Sequence, residues 1–212
     1  MKVYLAVVNT LADWEIGYLT AELYSKRFFR SPDIHCELVK VGIDLAPVTS
    51  MGGMQIAPDV ALADVRLAAD DLYIMPGSEQ WEQEKYGPLV QFAADALEQG
   101  HHVAAICGAT MGLAAAGVLN TRRHTSNDIS VIKQSGAAYQ GEKLYEKKPA
   151  VRDGNLITAS GLAPLEFTYE VMGLLEVWSG ATAAAWLKLF QTREKGCYYA
   201  LVDSMSILPS AP

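Results

Sequence analysis

The stretch Val103-Ala104-Ala105-Ile106-Cys107-Gly108-Ala109-Thr110-Met111-Gly112-Leu113 decides how the rest of the chain is read. An apolar run of strand length passes directly into small residues of helical character, with a cysteine at the junction. A nucleophile at such a corner sits on a strained turn at the strand's C-terminal end and faces the unpaired N–H groups of the following helix. Those groups favour thiolate over thiol. The backbone turns too sharply for large flanking side chains, a need that Ala105, Gly108 and Ala109 meet. Free cysteine is also among the most buried residue types, so this stretch alone leaves an inert core cysteine as an equal alternative.

Outward from this corner, buried strands alternate with helical patterns. Val3 to Val8 is a continuous apolar run, as in a strand covered on both faces of a parallel sheet. Asp13 is placed to cap a helix running to about Phe29, with Trp14, Tyr18, Leu19, Ala21, Leu23 and Tyr24 as its stripe and Ser31-Pro32-Asp33 as its stop. Cys36 to Val41 reads as a second strand, and Ser50-Met51-Gly52-Gly53-Met54 as the turn of a small hairpin. Asp71 to Met75 is a further buried strand, ended by Pro76-Gly77-Ser78. Helices are predicted over Pro88 to Gly100, from Cys107 to about Gly117, Asp128 to Gln134, Pro164 to Trp178 and Ala181 to about Lys195, with a hairpin over Val151 to Thr158. The alternation predicts a single α/β domain over residues 1–212 with a mainly parallel sheet. Ligands of such sheets bind outside the strands' C-terminal ends.

Composition narrows the function. In 212 residues, half hydrophobic and 19% charged, a formal charge of -7 argues against nucleic acid or anionic membrane as a partner. Cys36, Cys107 and Cys197 are odd in number and far apart, which suits neither a disulfide framework nor a metal-ligand spacing. The first apolar run is too short for a signal peptide and no segment has membrane-span length, so a cytoplasmic location is expected.

A nucleophilic cysteine needs neighbours that control its proton. Glu15 follows the first strand; it is either a buried, protonated carboxyl donating to the thiolate or a solvated first-turn glutamate. His124, in the polar loop Asn120 to Asn127, is a candidate general acid or base or else a surface residue. Arg122 and Arg123 would hold its pKa down, and Asp128 is a candidate to orient it. Gly77 and Ser78, with Gly108, are candidate oxyanion donors, or part of an ordinary turn. His101 and His102 begin a strand at the opposite end and read as structural; Cys197 reads as packing.

Taken together, these pieces resemble the ThiJ/PfpI group of the class I glutamine amidotransferase-like superfamily. The matching residues are Val3 to Val8 with Asp13-Trp14-Glu15, Asp71 to Gly77, Ala104 to Ala109, His124, and Asp153 to Gly161 leading to Glu166-Phe167. They fall in family order and cover a common core over residues 1–178, with 179–212 as a helical extension. The resemblance implies a flavodoxin-like three-layer sandwich, a homodimer, Cys107 as nucleophile, Glu15 as its hydrogen-bonding carboxyl, His124 nearby, and Gly77 in the oxyanion region. Gly108 stands where protease-associated members often carry histidine, Ser78 where a second glycine is common, and no late His-x-Glu pair follows. Peptidase and glutaminase activities are therefore not expected. The expected function is a cysteine-dependent enzyme acting on a small carbonyl or acyl substrate, glyoxalase-like or hydrolase-like, through a covalent Cys107 intermediate, without cofactor or metal. The alternatives are a redox-sensing or stress-protection protein that uses oxidation of Cys107, and a non-catalytic binding protein.

Overall fold

The computed structural model describes residues 1–206. In chain order the elements are β1 (Lys2–Ala6), α1 (Asp13–Ser25), β2 (Glu37–Gly42), β3 (Val48–Thr49), β4 (Gln55–Ile56), β5 (Val60–Ala61), β6 (Leu72–Met75), α2 (Gly87–Glu98), β7 (His102–Ile106), α3 (Gly108–Ala115), α4 (Ile129–Ile132), β8 (Ala150–Asp153), β9 (Leu156–Ala159), α5 (Pro164–Leu174), α6 (Gly180–Thr192) and α7 (Lys195–Ser206). Seven strands form one sheet in the order β5-β2-β1-β6-β7-β9-β8, parallel throughout except for β8, which runs antiparallel to β9. β3 and β4 pair apart from it as the predicted small hairpin.

The central strands β1, β6, β7 and β9 are the apolar runs of the sequence, and all of β6 and β9 is buried. Continuous Val, Leu, Ile and Ala suits strands covered on both faces, because neither face can carry a solvated side chain. The sheet and its helices form the flavodoxin-like α/β arrangement expected. Strand order reverses at β1, whose chain neighbour β2 lies on one side and β6 on the other. In open α/β sheets such a reversal is where ligands bind, outside the C-terminal ends of the strands.

Local departures have local causes. α1 ends at Ser25 because Lys26 takes the left-handed conformation at φ 55° and bonds back to Glu22, well before the Pro32 stop. Asp13 does not cap α1: its carboxylate accepts from the N–H of Gly52 at 2.6 Å, tying the hairpin tip to the helix start. The buried face of α1 is Glu15, Ile16, Leu19, Glu22 and Leu23, spaced at helical intervals, so Trp14 and Tyr24 turn outward instead, while Tyr18 is partly exposed at the edge of the contact with Trp186 and Phe190. The edge strand β5 is only two residues long and carries too little pattern to be read from sequence. In the extension, α6 closes at Arg193 in the left-handed region, near the predicted end at about Lys195, and α7 follows two residues later as a further helix of the extension that the pattern did not mark out. Cys197 is buried, as expected.

Candidate active site

Four neighbouring strands deliver the site. β1 leads into α1 and Glu15; β6 ends at Pro76-Gly77; β7 ends at Cys107; β9 ends at Ser160-Gly161. Because Ile106 pairs with Ala159, the two chains leave the sheet side by side, and the N–H of Cys107 donates to Ala159 O at 2.9 Å. Cys107 has φ 59° and ψ -127°. Only the surrounding structure can impose this on a residue with a Cβ, at a cost on the order of 1–3 kcal/mol. Thr110, fully buried, secures the turn: its N–H and hydroxyl both donate to Cys107 O, at 3.1 and 2.6 Å. Gly108 is dictated by Ser78, whose carbonyl oxygen lies 2.7 Å from where a Cβ would stand.

Glu15 is fully buried, which excludes the solvated alternative. Its Oε2 accepts from the N–H of Gly77 at 2.6 Å. Its Oε1 is buried without a hydrogen-bond partner and faces the thiol: a Cβ on Gly161 would lie 2.7 Å from Cys107 Sγ and 2.8 Å from Oε1. Burial raises the Glu15 pKa above the ordinary carboxylate range, against the lowering effect of the neighbouring Cys107 thiol and of the Gly77 N–H. The same burial, together with the facing carboxylate, pushes the Cys107 thiol up to about 11. The elbow thus does not produce the resting thiolate that a helix N-terminus by itself favours; burial outweighs that field. Thiol and carboxyl face each other in a pocket whose burial disfavours the charged form of both.

The amide of Asn127 completes the surroundings of the sulfur. Its Nδ2 donates to Cys107 Sγ at 3.2 Å while its Oδ1 accepts from Gly161 N at 2.8 Å, an arrangement that fixes which end of the amide faces the thiol. This contact lowers the Cys107 pKa against burial. Asn127 ends the polar loop picked out in the sequence, but nothing in its spacing distinguishes it from Asn120 or Ser126.

His124 is brought to the same loop but not to the thiol. Its ring is fully buried, Nδ1 donating to Arg122 O at 2.7 Å and Nε2 accepting from Tyr139 Oη at 2.8 Å, with Tyr139 and Tyr145 edge-on around it. Its pKa is lowered, by burial and not by the arginines beside it, which pair with Asn155, Asp153 and Glu146. Asp128 caps α4 by accepting from Ser130 N and does not orient His124. The proposed oxyanion donors divide. The N–H of Gly77 is taken by Glu15, because a carboxylate is the stronger acceptor for an orphan donor at a strand end. The N–H of Gly108 turns to the sulfur, and that of Ser78 has no acceptor among the described residues. Ser78 Oγ is anchored to Asn9 O and Thr10.

Trp14 stands half-exposed beside the site, its indole N–H donating to Gly161 O at 3.3 Å. With Met51, Gly52, Met54 and Asp13 it lines an open concavity of about 550 Å³. Among the described residues no group of histidine, cysteine and acidic side chains is arranged to hold a metal ion, and no helix is long and apolar enough to cross a membrane.

The profile of the DJ-1/PfpI family matches residues 1–174. A Bacillus subtilis protein named uncharacterized protease YoaZ is 44% identical over 205 residues, covering 97% of this chain and 98% of its own. A crystal structure of a thiJ/pfpI family protein from Bacillus anthracis superposes with TM-score 0.93 at 43% identity over 96% of both chains. The isonitrile hydratase of Pseudomonas putida is 30% identical over 139 residues, 62% of this chain and 54% of that one.

Proposed function

The chain belongs to the DJ-1/PfpI family, and from that premise we propose that it is a cysteine-dependent enzyme acting on a small electrophilic carbon, a carbonyl or acyl group, through a covalent adduct on Cys107. The observation that carries this reading is the strained Cys107 elbow with its sulfur set between the Glu15 carboxyl and the Asn127 amide. As the sulfur attacks, Glu15 Oε1 takes the thiol proton, a carbon–sulfur bond forms, and the carbonyl π electrons move to oxygen. The N–H of Ser78 receives that oxygen, joined by the N–H of Gly108 as the sulfur gives its electron pair to carbon. When the tetrahedral intermediate resolves, Glu15 returns the proton to the departing group or to the oxygen. Glu15 is the proton carrier in this scheme and His124 a support of the loop, because both ring nitrogens of His124 are already bonded.

Activation inside the complex fits a thiol that is protonated at rest. The protein is further proposed to act in the cytoplasm as one unit over its whole length, and as a homodimer. The apolar face made by Trp14, Met51, Met54 and the 95% exposed Leu162 supports the pairing. The test is turnover of aldehydes, ketoaldehydes, amides, peptides and isonitriles by the purified protein. Cys107→Ala is expected to lower it about a thousandfold or more, and turnover that survives the substitution would overturn the reading. Peptides and isonitriles are in the panel because relatives are named for them.

A further inference from the structure

α1 carries two buried glutamates, not one. Glu15 and Glu22 are 0% and 1% exposed and lie seven residues apart, two helical turns on one face. Glu15 reaches the thiol. Glu22 reaches α6, where the indole N–H of Trp186 donates to its Oε1 at 3.0 Å. Arg27 holds the same carboxylate in a fork, with Nε on Oε2 at 2.8 Å and Nη2 on Oε1. Between the two glutamates, the Tyr18 ring meets Trp186 edge-on at 6.0 Å and Phe190 at 5.2 Å. Trp186 is completely buried and backed by Trp178 at 5.2 Å.

Apolar packing between helices is non-directional and admits more than one register, whereas a buried carboxylate paired to a single indole N–H admits one. A helix is stiff along its axis, so a slide at Glu22 is delivered almost whole to Glu15. The 2.6 Å bond from Gly77 and the close approach to the sulfur leave little room for it. We propose that Glu22 and Trp186 are positioning residues: the grip of α6 on α1 fixes the axial setting of α1 and, through it, the placement of the Glu15 carboxyl against Cys107. This gives the helical extension after the family core a part in the chemistry, and it rests on the reading that Cys107 and Glu15 are the reactive pair.

The experiment follows alkylation of Cys107 in the full-length protein with iodoacetamide, by intact mass, from pH 6 to 11, with thermal melting measured alongside. Glu15→Gln removes the facing charge and is expected to speed alkylation at pH 8 about tenfold, one pKa unit for a thiol far below its pKa. Trp186→Phe and Glu22→Gln are expected to move the profile in the same direction, by about twofold at pH 8. Leu201→Ala, a truncation in the core of α7, is expected to lower the melting temperature and leave the profile in place. If Trp186→Phe and Glu22→Gln both lower the melting temperature while their profiles overlay the parent's, the grip is structural only and the proposal is overturned. If Glu15→Gln also leaves the profile unmoved, the reactive-pair reading falls with it.

Discussion

At the scale of single residues, three side chains set the state of one proton. Burial raises both the thiol of Cys107 and the carboxyl of Glu15, while the Asn127 amide works in the opposite sense on the sulfur. Replacing Asn127 with alanine removes a donor to the thiolate and leaves burial unopposed, so the thiol pKa rises further. Asn127→Ala is expected to slow alkylation of Cys107 about tenfold at pH 8, the value of one hydrogen bond to a charged group. Intact-mass kinetics check this, and an unchanged rate would show that the amide contributes no stabilisation. Cys107 stood out in the sequence from its corner, beside an equal reading as a core cysteine, whereas Glu15 was singled out only through the family resemblance, since its place after the first strand suits a solvated first-turn glutamate. Asn127 did not stand out, because the residue of a loop that reaches a given atom depends on the loop's path, here fixed by the His124 bonds to Arg122 and Tyr139.

At the scale of elements, α1 is the piece on which the site depends. Its first turn binds the hairpin tip through Asp13 and Gly52, its inner face carries Glu15, and its last turns meet α6 through Glu22. The tip is further held by Met51 N on Leu11 O at 2.9 Å, and this fastening keeps Met51 and Met54 beside Trp14. Asp13→Ala is expected to release the tip without unfolding the sheet. Amide exchange at Gly52 should accelerate about tenfold while the melting temperature moves by only about 2–4 °C. Loss of protection spread over β1 and β6 would show instead that the tether supports the core. The helix itself was legible as a pattern, but its inner face was not, since two charged residues occupy it and two aromatics lie outside.

At the scale of the whole molecule, the seven-stranded sheet brings residues 15, 77, 107 and 161 to one edge. The raised thiol also marks global stability. The folded protein holds the Cys107 proton more tightly than the unfolded chain, so this contribution is complete below the ordinary value of 9.0 and is lost as pH rises to about 11. Denaturant unfolding of parent and Cys107→Ala at pH 8 and pH 10.5 should show the parent losing about 1–2 kcal/mol more, discounted for the thiol's partial exposure. Equal losses would mean that the thiol titrates normally. The apolar face of Trp14, Met51, Met54 and Leu162 bears on assembly. Light scattering should report a dimer for the parent and a monomer for the double variant Met51→Glu and Met54→Glu, since two buried charges facing their copies would each go unpaired. A parent that runs as a monomer would remove the dimer reading.

The sequence by itself determined the parallel sheet, because apolar runs on strands buried from both sides leave no choice of face, and it marked the elbow as a candidate, because small residues must flank a cysteine on so sharp a turn, while an inert core cysteine fitted the same stretch equally. It also determined that Glu15 and the Pro76-Gly77 loop lie at the same edge, since both follow strands of that sheet. Only the tertiary structure decided what each group does there. Gly77 serves Glu15 and not an oxyanion, His124 is committed within its own loop, Asn127 reaches the sulfur, and burial overrides the helix field on Cys107. Hydrogen-bond partners and desolvation are set by distances of a few ångströms between chain segments up to about 150 residues apart. Such distances follow from packing, which no local pattern encodes.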